Sequence, residues 1–600
     1  MHETDIISPT RAITLPGAFR ERVRRSPDAV AYIQYRPETE GWQEYSWADT
    51  AAEVARWQEA LQSEGLKRGE RVAVMLRNCR EWVIFDQAAQ GLGLVTVPIF
   101  TNDQPDNVSY ILQDAGARVL LIGDREQWAS LQEIQDQLAG LTRIISLERL
   151  EASGLDIRLT HLADWLPATA TSGLKNLATD PDALATIVYT SGTTGRSKGV
   201  MLSHRNILTN AAGCIDLIPI FTDDLMLSFL PLSHTLERTL GYYLPILAGS
   251  RVAYARSIPQ LADDLTRIRP TILISVPRIF ERIHARIQER LEEGPELAAR
   301  LFRRTVATGW RRFEYRQGRA PWSPALLTWP LLERLVARKV QARLGGRLRF
   351  AVSGGAPLSE EIARMFIGLG MNIQQGYGLT ETSPVISANP LEDNLPASVG
   401  VPLKEVETRV GKNDELLTRG PCVMLGYWNK PDATRQVLDP EGWLRTGDKV
   451  RVESGHLFII GRLKEIIVLA NGEKVPPADM ETAITRDGLF QQALVIGEGR
   501  PFLSALVVTD PELLDHLLRQ LAPGTGEARD LDSDKVQQAL LERVNACLHA
   551  FPGYARIHRL GVLQQPWGIE EGLLTPTLKL RRERIMTRYA ALIESLYAGH

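Results

Sequence analysis

Residues 190–199 read Thr-Ser-Gly-Thr-Thr-Gly-Arg-Ser-Lys-Gly and follow directly on the apolar run Thr186-Ile187-Val188-Tyr189. A buried strand that ends in such a loop leaves few choices of fold. Gly192, Gly195 and Gly199 let the backbone turn sharply and bring amide N–H groups close to a polyphosphate. Thr190, Ser191, Thr193, Thr194 and Ser197 add five hydroxyls, and Lys198 adds a point charge. The loop is not a Walker A loop, because Lys198 precedes Gly199 and no helix N-cap pattern follows. A strand that delivers a phosphate cradle suits an α/β protein.

The flanking sequence has the same grammar. Residues 47–66 read as an amphipathic helix with Ser46 as N-cap and Gly65 near its end. Residues 71–76 read as a buried strand, 81–91 as a helix, and 95–98 and 119–123 as further strands. Strand patterns recur at 272–276 and 348–352. Strands alternating with helices at this spacing imply parallel sheets covered by helices. With 600 residues, one core is not enough. Turn signals at Gly447-Asp448 and 453–456, with shorter elements after Gly461, predict a large domain over 1–460 and a smaller α+β domain over 461–600.

The bulk properties exclude several classes. A net charge of −3 offers nucleic acid no general attraction. Cys79, Cys214, Cys422 and Cys547 lie far apart with no CxxC pair, which argues against a zinc site or a disulfide framework and for a reducing cytoplasm. The first residues lack a secretory pattern, and no run of 18 or more apolar residues occurs. One stretch departs from the rest. Residues 300–349 hold 13 Lys/Arg and two acids, Glu314 and Glu333, a local charge of +11, with Trp310, Phe313, Tyr315, Trp322 and Trp329 among them. This is either a solvated helical face over core aromatics or a basic aromatic surface for an anionic membrane or for CoA phosphates.

A second chemical cluster is Gly376-Tyr377-Gly378-Leu379-Thr380-Glu381-Thr382. It offers an aromatic plane, a hydroxyl and a carboxylate within five residues. Tyr377 can stack on a purine. Thr380 can donate to a phosphate. Glu381 can hold Mg²⁺, which prefers oxygen ligands and phosphate partners. Asp448, in Arg445-Thr446-Gly447-Asp448, is a carboxylate suited to a ribose diol.

The loop at 190–199, with these clusters in this order, resembles the signature of the adenylate-forming superfamily, which includes acyl-CoA synthetases, nonribosomal adenylation domains and luciferases. The resemblance runs from about residue 15 to 595. It implies ATP and Mg²⁺ as cofactors and assigns the roles just given to Tyr377, Gly378, Thr380, Glu381 and Asp448. It lays the backbone of Gly355, Ala356 and Pro357 along the adenine. It places Arg462 near the ribose and phosphate, Lys464 at the hinge, and Gly472 on a loop that faces the site during thioester formation. Lys579, in Leu574-Thr575-Pro576-Thr577-Leu578-Lys579, matches the catalytic lysine. His234, in Leu232-Ser233-His234, matches a histidine at the acyl-site entrance, where positioning is expected rather than proton abstraction, since a carboxylate is already ionised.

Residues 230–238 (LPLSHTLER), 275–283 (SVPRIFERI) and the basic insert look like the long-chain fatty acyl-CoA synthetases. Some members of that branch carry a gating tryptophan four residues after the histidine. Here that residue is Arg238, so no tryptophan gate is expected. The implied activity is conversion of a fatty acid, ATP and CoA to acyl-CoA through acyl-AMP, in the cytoplasm or on the inner membrane face. Two rivals stand: a ligase that loads a carrier protein, and a non-catalytic fatty-acid or nucleotide binding protein.

Overall fold

The computed structural model describes residues 3–150, 156–190, 196–463, 467–470, 473–521, 531, 533–549, 551–553, 555–575 and 578–598. Two large sheets dominate. The first has eight strands in the order Gly426–Tyr427, Lys198–Ser203, Leu184–Thr190, Val95–Pro98, Arg71–Met75, Ala117–Ile122, Arg143–Ser146 and Leu159–His161. From Leu184–Thr190 to Leu159–His161 all neighbours run parallel. Beyond Leu184–Thr190 the sheet turns antiparallel, because the next strand, Lys198–Ser203, pairs back on it with Thr190 opposite Lys198. This is the loop's departure from a Walker geometry, in which a helix would follow.

The second sheet has nine strands, with Ile373–Gly378, Phe350–Ser353, Ile272–Ser275, Leu225–Ser228, Arg251–Tyr254 and Val30–Arg36 as its parallel centre. Antiparallel strands flank this centre: Val385–Ala388 and then the edge strand Val401–Pro402 on one side, and the edge strand Gly41–Ser46 on the other. One core joins the two sheets: Val72 and Val74 of the first share it with Met226, Ile272 and Phe350 of the second, through Trp82, Phe85, Tyr242 and Tyr243. The helix Arg80–Gly91 lies in this core and is buried on nearly every face. A helix packed between two sheets has no polar side, so its charged residues must find partners inside.

The helix over 47–66 starts as expected, with Ser46 and Asp49 forming a capping box, and ends at Ser63. A four-stranded antiparallel sheet, Glu407–Val410, Glu415–Arg419, Leu444–Glu453 and His456–Arg462, follows the two large ones. After it the chain builds separate cores from residues 467–597, around the three-stranded sheet Phe490–Ile496, Leu503–Thr509 and Ile557–Leu563. The architecture is the large helix-covered α/β domain and smaller α+β domain expected from the sequence. No helix among the described residues is long and apolar enough to cross a membrane.

Over 300–349 the aromatic residues divide. Trp329 and Phe313 are core residues, and Trp310 packs on the same cluster, while Tyr315 and Trp322 are exposed. The exposed apolar character comes instead from leucines: Leu327, Leu331 and Leu335 are 73%, 61% and 43% exposed.

Candidate active site

The two ends of the phosphate loop are held by one helix, Pro105–Ala115. Ser191, Gly192, Thr193, Thr194 and Gly195 lie outside the described residues. Before the loop, the Tyr189 hydroxyl donates to Asp114 at 2.6 Å. After it, the Ser197 hydroxyl donates to Asn107 Oδ1 at 3.0 Å. The Lys198 ammonium sits 5.0 Å above the ring of Tyr427. Tyr427 in turn donates its phenol to Glu381 Oε1 at 2.8 Å. Strand Gly426–Tyr427 pairs with the strand that leaves the loop, which sets this contact. One tyrosine ring therefore separates the loop cation from the candidate metal carboxylate. Among the described residues no group of three His, Cys, Asp or Glu side chains could hold a metal. A single carboxylate beside a polyphosphate cradle fits Mg²⁺, which takes most of its protein-side ligation from one or two carboxylates and the rest from phosphates and water.

Local geometry separates Tyr377 from Glu381. Tyr377 lies on strand Ile373–Gly378, and Thr380 and Glu381 start the turn after it. A Cβ on Gly378 would meet the Pro384 carbonyl oxygen at 1.8 Å, so only glycine fits at this bend. The Tyr377 hydroxyl donates to Asp448 Oδ2 at 2.5 Å. Arg462 Nε donates to Asp448 Oδ1 at 3.1 Å. Asp448 and Arg462 face each other because strands Leu444–Glu453 and His456–Arg462 pair them in register. Burial, then the negative charge of Asp448, pushes the Tyr377 phenol well above its ordinary range, so it stays a donor. Tyr377, Asp448 and Arg462, distant in sequence, thus form one connected group. Gly355, Ala356 and Pro357 form an exposed turn at the end of strand Phe350–Ser353, beside the strand carrying Tyr377.

His234 caps the short helix Thr235–Arg238, accepting at Nδ1 from the Leu236 amide at 3.2 Å. Burial, together with the positive charge of Lys579, pushes its pKa down to about 4, so it is neutral near pH 7. That charge reaches it from the small domain. Lys579 is presented by a tight hairpin: the Thr575 amide donates to the Lys579 carbonyl at 2.8 Å, the Lys579 amide to Thr575 Oγ1 at 3.0 Å, and the Arg581 amide to the Leu573 carbonyl at 2.9 Å. Lys464 and Gly472 lie outside the described residues.

Arg238 is not at a gate. It is buried and pairs with Asp86 at 2.6 Å, and it donates to Thr186 Oγ1 at 2.7 Å and Thr96 Oγ1 at 2.8 Å. Its neighbour Glu237 is a buried carboxyl whose pKa burial pushes up to about 8, against a hydrogen bond with Ser228. Sequence reasoning missed Tyr427 and Asn107. Tyr427 stands on a two-residue strand, too short for periodicity to register.

The chain belongs to the AMP-binding enzyme family: that family matches residues 19–428, and its C-terminal domain matches residues 464–600. Among curated relatives, the long-chain-fatty-acid–CoA ligase FadD15 of Mycobacterium bovis is 33% identical over 592 residues, covering 96% of each chain. A chloroplastic long-chain-fatty-acid–[acyl-carrier-protein] ligase, AEE15 of Arabidopsis thaliana, is 28% identical over 97% of this chain and 86% of its own. Among solved structures, the adenylation domain of a Mycobacterium chelonae carboxylate reductase aligns with a TM-score of 0.74 at 23% identity, over 98% of this chain and 91% of that one, a likeness of fold.

Proposed function

We propose that this chain is an AMP-forming ligase that converts a long-chain fatty acid, ATP and CoA to acyl-CoA, AMP and pyrophosphate. The observation that carries this is a pair of side-chain groups, Lys198–Tyr427–Glu381 and Tyr377–Asp448–Arg462, linked through the turn from Tyr377 to Glu381, with the charge of Lys579 reaching His234 from the small domain. The first group suits a metal-bound polyphosphate and the second suits a nucleoside. The division of labour follows domains 1–460 and 461–600, and small-domain cores that begin at Ile467 support that division.

In the first half-reaction a fatty carboxylate oxygen attacks the α-phosphorus of ATP and pyrophosphate leaves. The chain's part is to hold charge and position. Residues 190–198 hold the β- and γ-phosphates, and Thr380 and Lys579 the α-phosphate. Tyr377 stacks on the adenine, with the backbone of 355–357 and 378 beside it. Asp448 accepts from the ribose hydroxyls, and Arg462 orients Asp448. Bound at Glu381, Mg²⁺ supplies positive charge to the phosphate oxygens. His234, being neutral, shapes the carboxylate entrance without adding charge. In the second half-reaction the small domain turns about Lys464, Lys579 leaves, and the Gly472 loop faces the site. The CoA sulfur attacks the acyl carbonyl carbon, the thiol proton passes to solvent, and AMP leaves.

The test is AMP release with CoA over fatty acids of graded length. AMP release that requires a long acid and yields acyl-CoA without a carrier protein supports the assignment. Transfer only to a carrier protein favours the rival suggested by the relative AEE15. Absence of acid-dependent pyrophosphate release leaves a binding protein.

The same function suits a cytoplasmic protein that touches the inner membrane face through 300–349. Leu327, Leu331 and Leu335 are exposed along the successive helical turns Pro324–Thr328, Trp329–Leu332 and Glu333–Ala337, with exposed Trp322 before them and exposed Arg334, Arg338 and Lys339 among and after them. A second copy would oppose like charges, whereas anionic lipid satisfies both the leucines and the cations. Charge reversal at Arg334, Arg338 and Lys339 should abolish co-sedimentation with phosphatidylglycerol vesicles. Unchanged binding removes the lipid contact.

A further inference from the structure

The helix Pro105–Ala115 touches both parts that the proposed reaction must coordinate. Along its length it supports the phosphate loop: Asn107 accepts from Ser197, Asp114 accepts from Tyr189, and the Tyr110 ring lies 5.1 Å from the Arg196 guanidinium. These three positions, spaced by three and four residues, fall on one helix face. At its start it meets the small domain. Gln104 Nε2 donates to the Ile569 carbonyl at 3.0 Å across the domain boundary. Asp103 is buried, and burial raises its pKa against the hydrogen bonds from Asn107 and the Gln104 amide and the positive charge of Arg581; its Oδ1 accepts from the Gln104 amide at 2.9 Å. Ile569 and Arg581 bracket the hairpin that presents Lys579. One side chain joins the two ends: Asn107 accepts from Ser197 through Oδ1 and donates to Asp103 Oδ2 at 2.5 Å through Nδ2.

We propose that Asp103, Gln104 and Asn107 are positioning residues that couple the phosphate loop to docking of the Lys579 hairpin, and so serve acyl-AMP formation rather than thioester formation. This rests on the two-step reaction proposed above. The physical content is a shared amide. An Asn side chain can be oriented by both partners at once, so a shift of Ser197 on nucleotide binding or pyrophosphate departure changes the aim of the amide that holds Asp103, whose Oδ1 in turn holds the amide of Gln104 beside its contact with Ile569. Docking of the lysine hairpin then follows the occupancy of the loop some 380 residues earlier in the chain. None of the three side chains is required to touch a reacting atom.

Two measurements on the full chain test this. The first compares half-reactions in Asn107→Ala and Gln104→Ala. Each should lower fatty-acid-dependent ATP–pyrophosphate exchange about five- to tenfold, as loss of one or two hydrogen bonds would, while CoA acylation from supplied acyl-AMP stays within twofold. Ser197→Ala combined with Gln104→Ala should cost less than the product of the two single effects, since both break one relay. Equal loss in both half-reactions, or strictly multiplicative effects, overturns the coupling. The second measurement needs no turnover. Adding ATP should raise hydrogen-exchange protection of residues 569–581 in the wild type, and Asn107→Ala should lose most of that rise. Protection that rises equally in both proteins overturns the relay. A chain that shows the protection change without any exchange reaction keeps the relay and refutes the ligase assignment instead.

Discussion

Replacing Arg238 by methionine removes one half of an ion pair that water does not reach. Arg238 and Asp86 are both buried, 2.6 Å apart, inside the core that joins the two large sheets. Burial works against the Arg238 charge, but Asp86 and the neighbouring tyrosines more than offset it and hold its pKa above the usual range. Breaking one side of such a pair costs about 3–5 kcal/mol, because the remaining charge stays buried. Here Asp86 keeps three neutral donors, Gln90 Nε2 at 2.8 Å, Tyr242 OH at 2.9 Å and Tyr243 OH at 2.6 Å. We therefore take the low end, about 3 kcal/mol, or roughly a hundredfold in a local opening equilibrium. The loss should appear in the elements tied by the pair: the helix Arg80–Gly91 and the strands Val95–Pro98 and Leu184–Thr190. Native-state hydrogen exchange reads each of them separately, which a global unfolding curve of a two-domain chain does not. Protection there should fall about a hundredfold, with the small-domain strands Phe490–Ile496 and Leu503–Thr509 unaffected. The double variant Asp86→Leu/Arg238→Met should recover most of the loss, since an apolar pair of similar volume needs no partner. A loss under tenfold in Arg238→Met, or a double variant no better than the single, refutes the account of Arg238 as an internal tie between sheets.

Three further outcomes are expected. Lys579→Ala should lower ATP–pyrophosphate exchange about a hundredfold, the size seen on removing one preorganised charge donor, and leave thioester formation from supplied acyl-AMP within threefold; equal loss in both would contradict its assignment to the first step. Glu237 has a folded-state pKa raised from 4.5 to about 8. Its buried proton is retained while the unfolded chain loses it, so stability falls as pH rises from 4.5 toward 8, by about 3 kcal/mol at pH 7. In Glu237→Gln that decline should vanish, and melting curves of the two proteins recorded from pH 5 to 8 that run parallel would exclude it. Tyr377→Phe keeps the ring but removes the donor to Asp448, so KM for ATP should rise about tenfold with kcat changed less than threefold, the low end of the 1.5–3 kcal/mol of a hydrogen bond to a charge. Tyr377→Leu removes the ring as well and should be clearly worse; equal KM values for Phe and Leu would count against stacking.

Much of the site could be read before any coordinates. The alternation of apolar strands with helices predicted parallel sheets, and residues 190–199 located the phosphate loop by composition alone, because glycines and hydroxyls beside a buried strand have a local physical meaning. The positions of Tyr377, Glu381 and Asp448 were legible as chemical types, but not their partners. Asp448 had no local sign that its two oxygens would be taken by Tyr377 and Arg462, since that depends on a strand register. Tyr427 was missed altogether, although it lies between Lys198 and Glu381. The aromatic residues of 300–349 left two readings open, and the core reading holds for Trp329, Phe313 and Trp310. Charge and aromatic counts cannot tell a core tryptophan such as Trp329 from an exposed one such as Trp322, and the exposed leucines carried no compositional signal.

Arg238, Glu237 and Asp86 draw the line most clearly. In the sequence they are charged residues on helices, which are ordinarily solvated. The tertiary structure packs their helices between two sheets and reverses that expectation, giving one ion pair and one protonated carboxyl. The sequence by itself determined the class of fold and named a candidate phosphate loop and candidate residue types for the site, because these follow from short-range backbone geometry and side-chain chemistry. Only the tertiary structure decided which charges pair, which are buried neutral, and which loop lies against which helix. Those depend on solvent exclusion and on contacts between residues hundreds of positions apart, and neither is a property of any local stretch of chain.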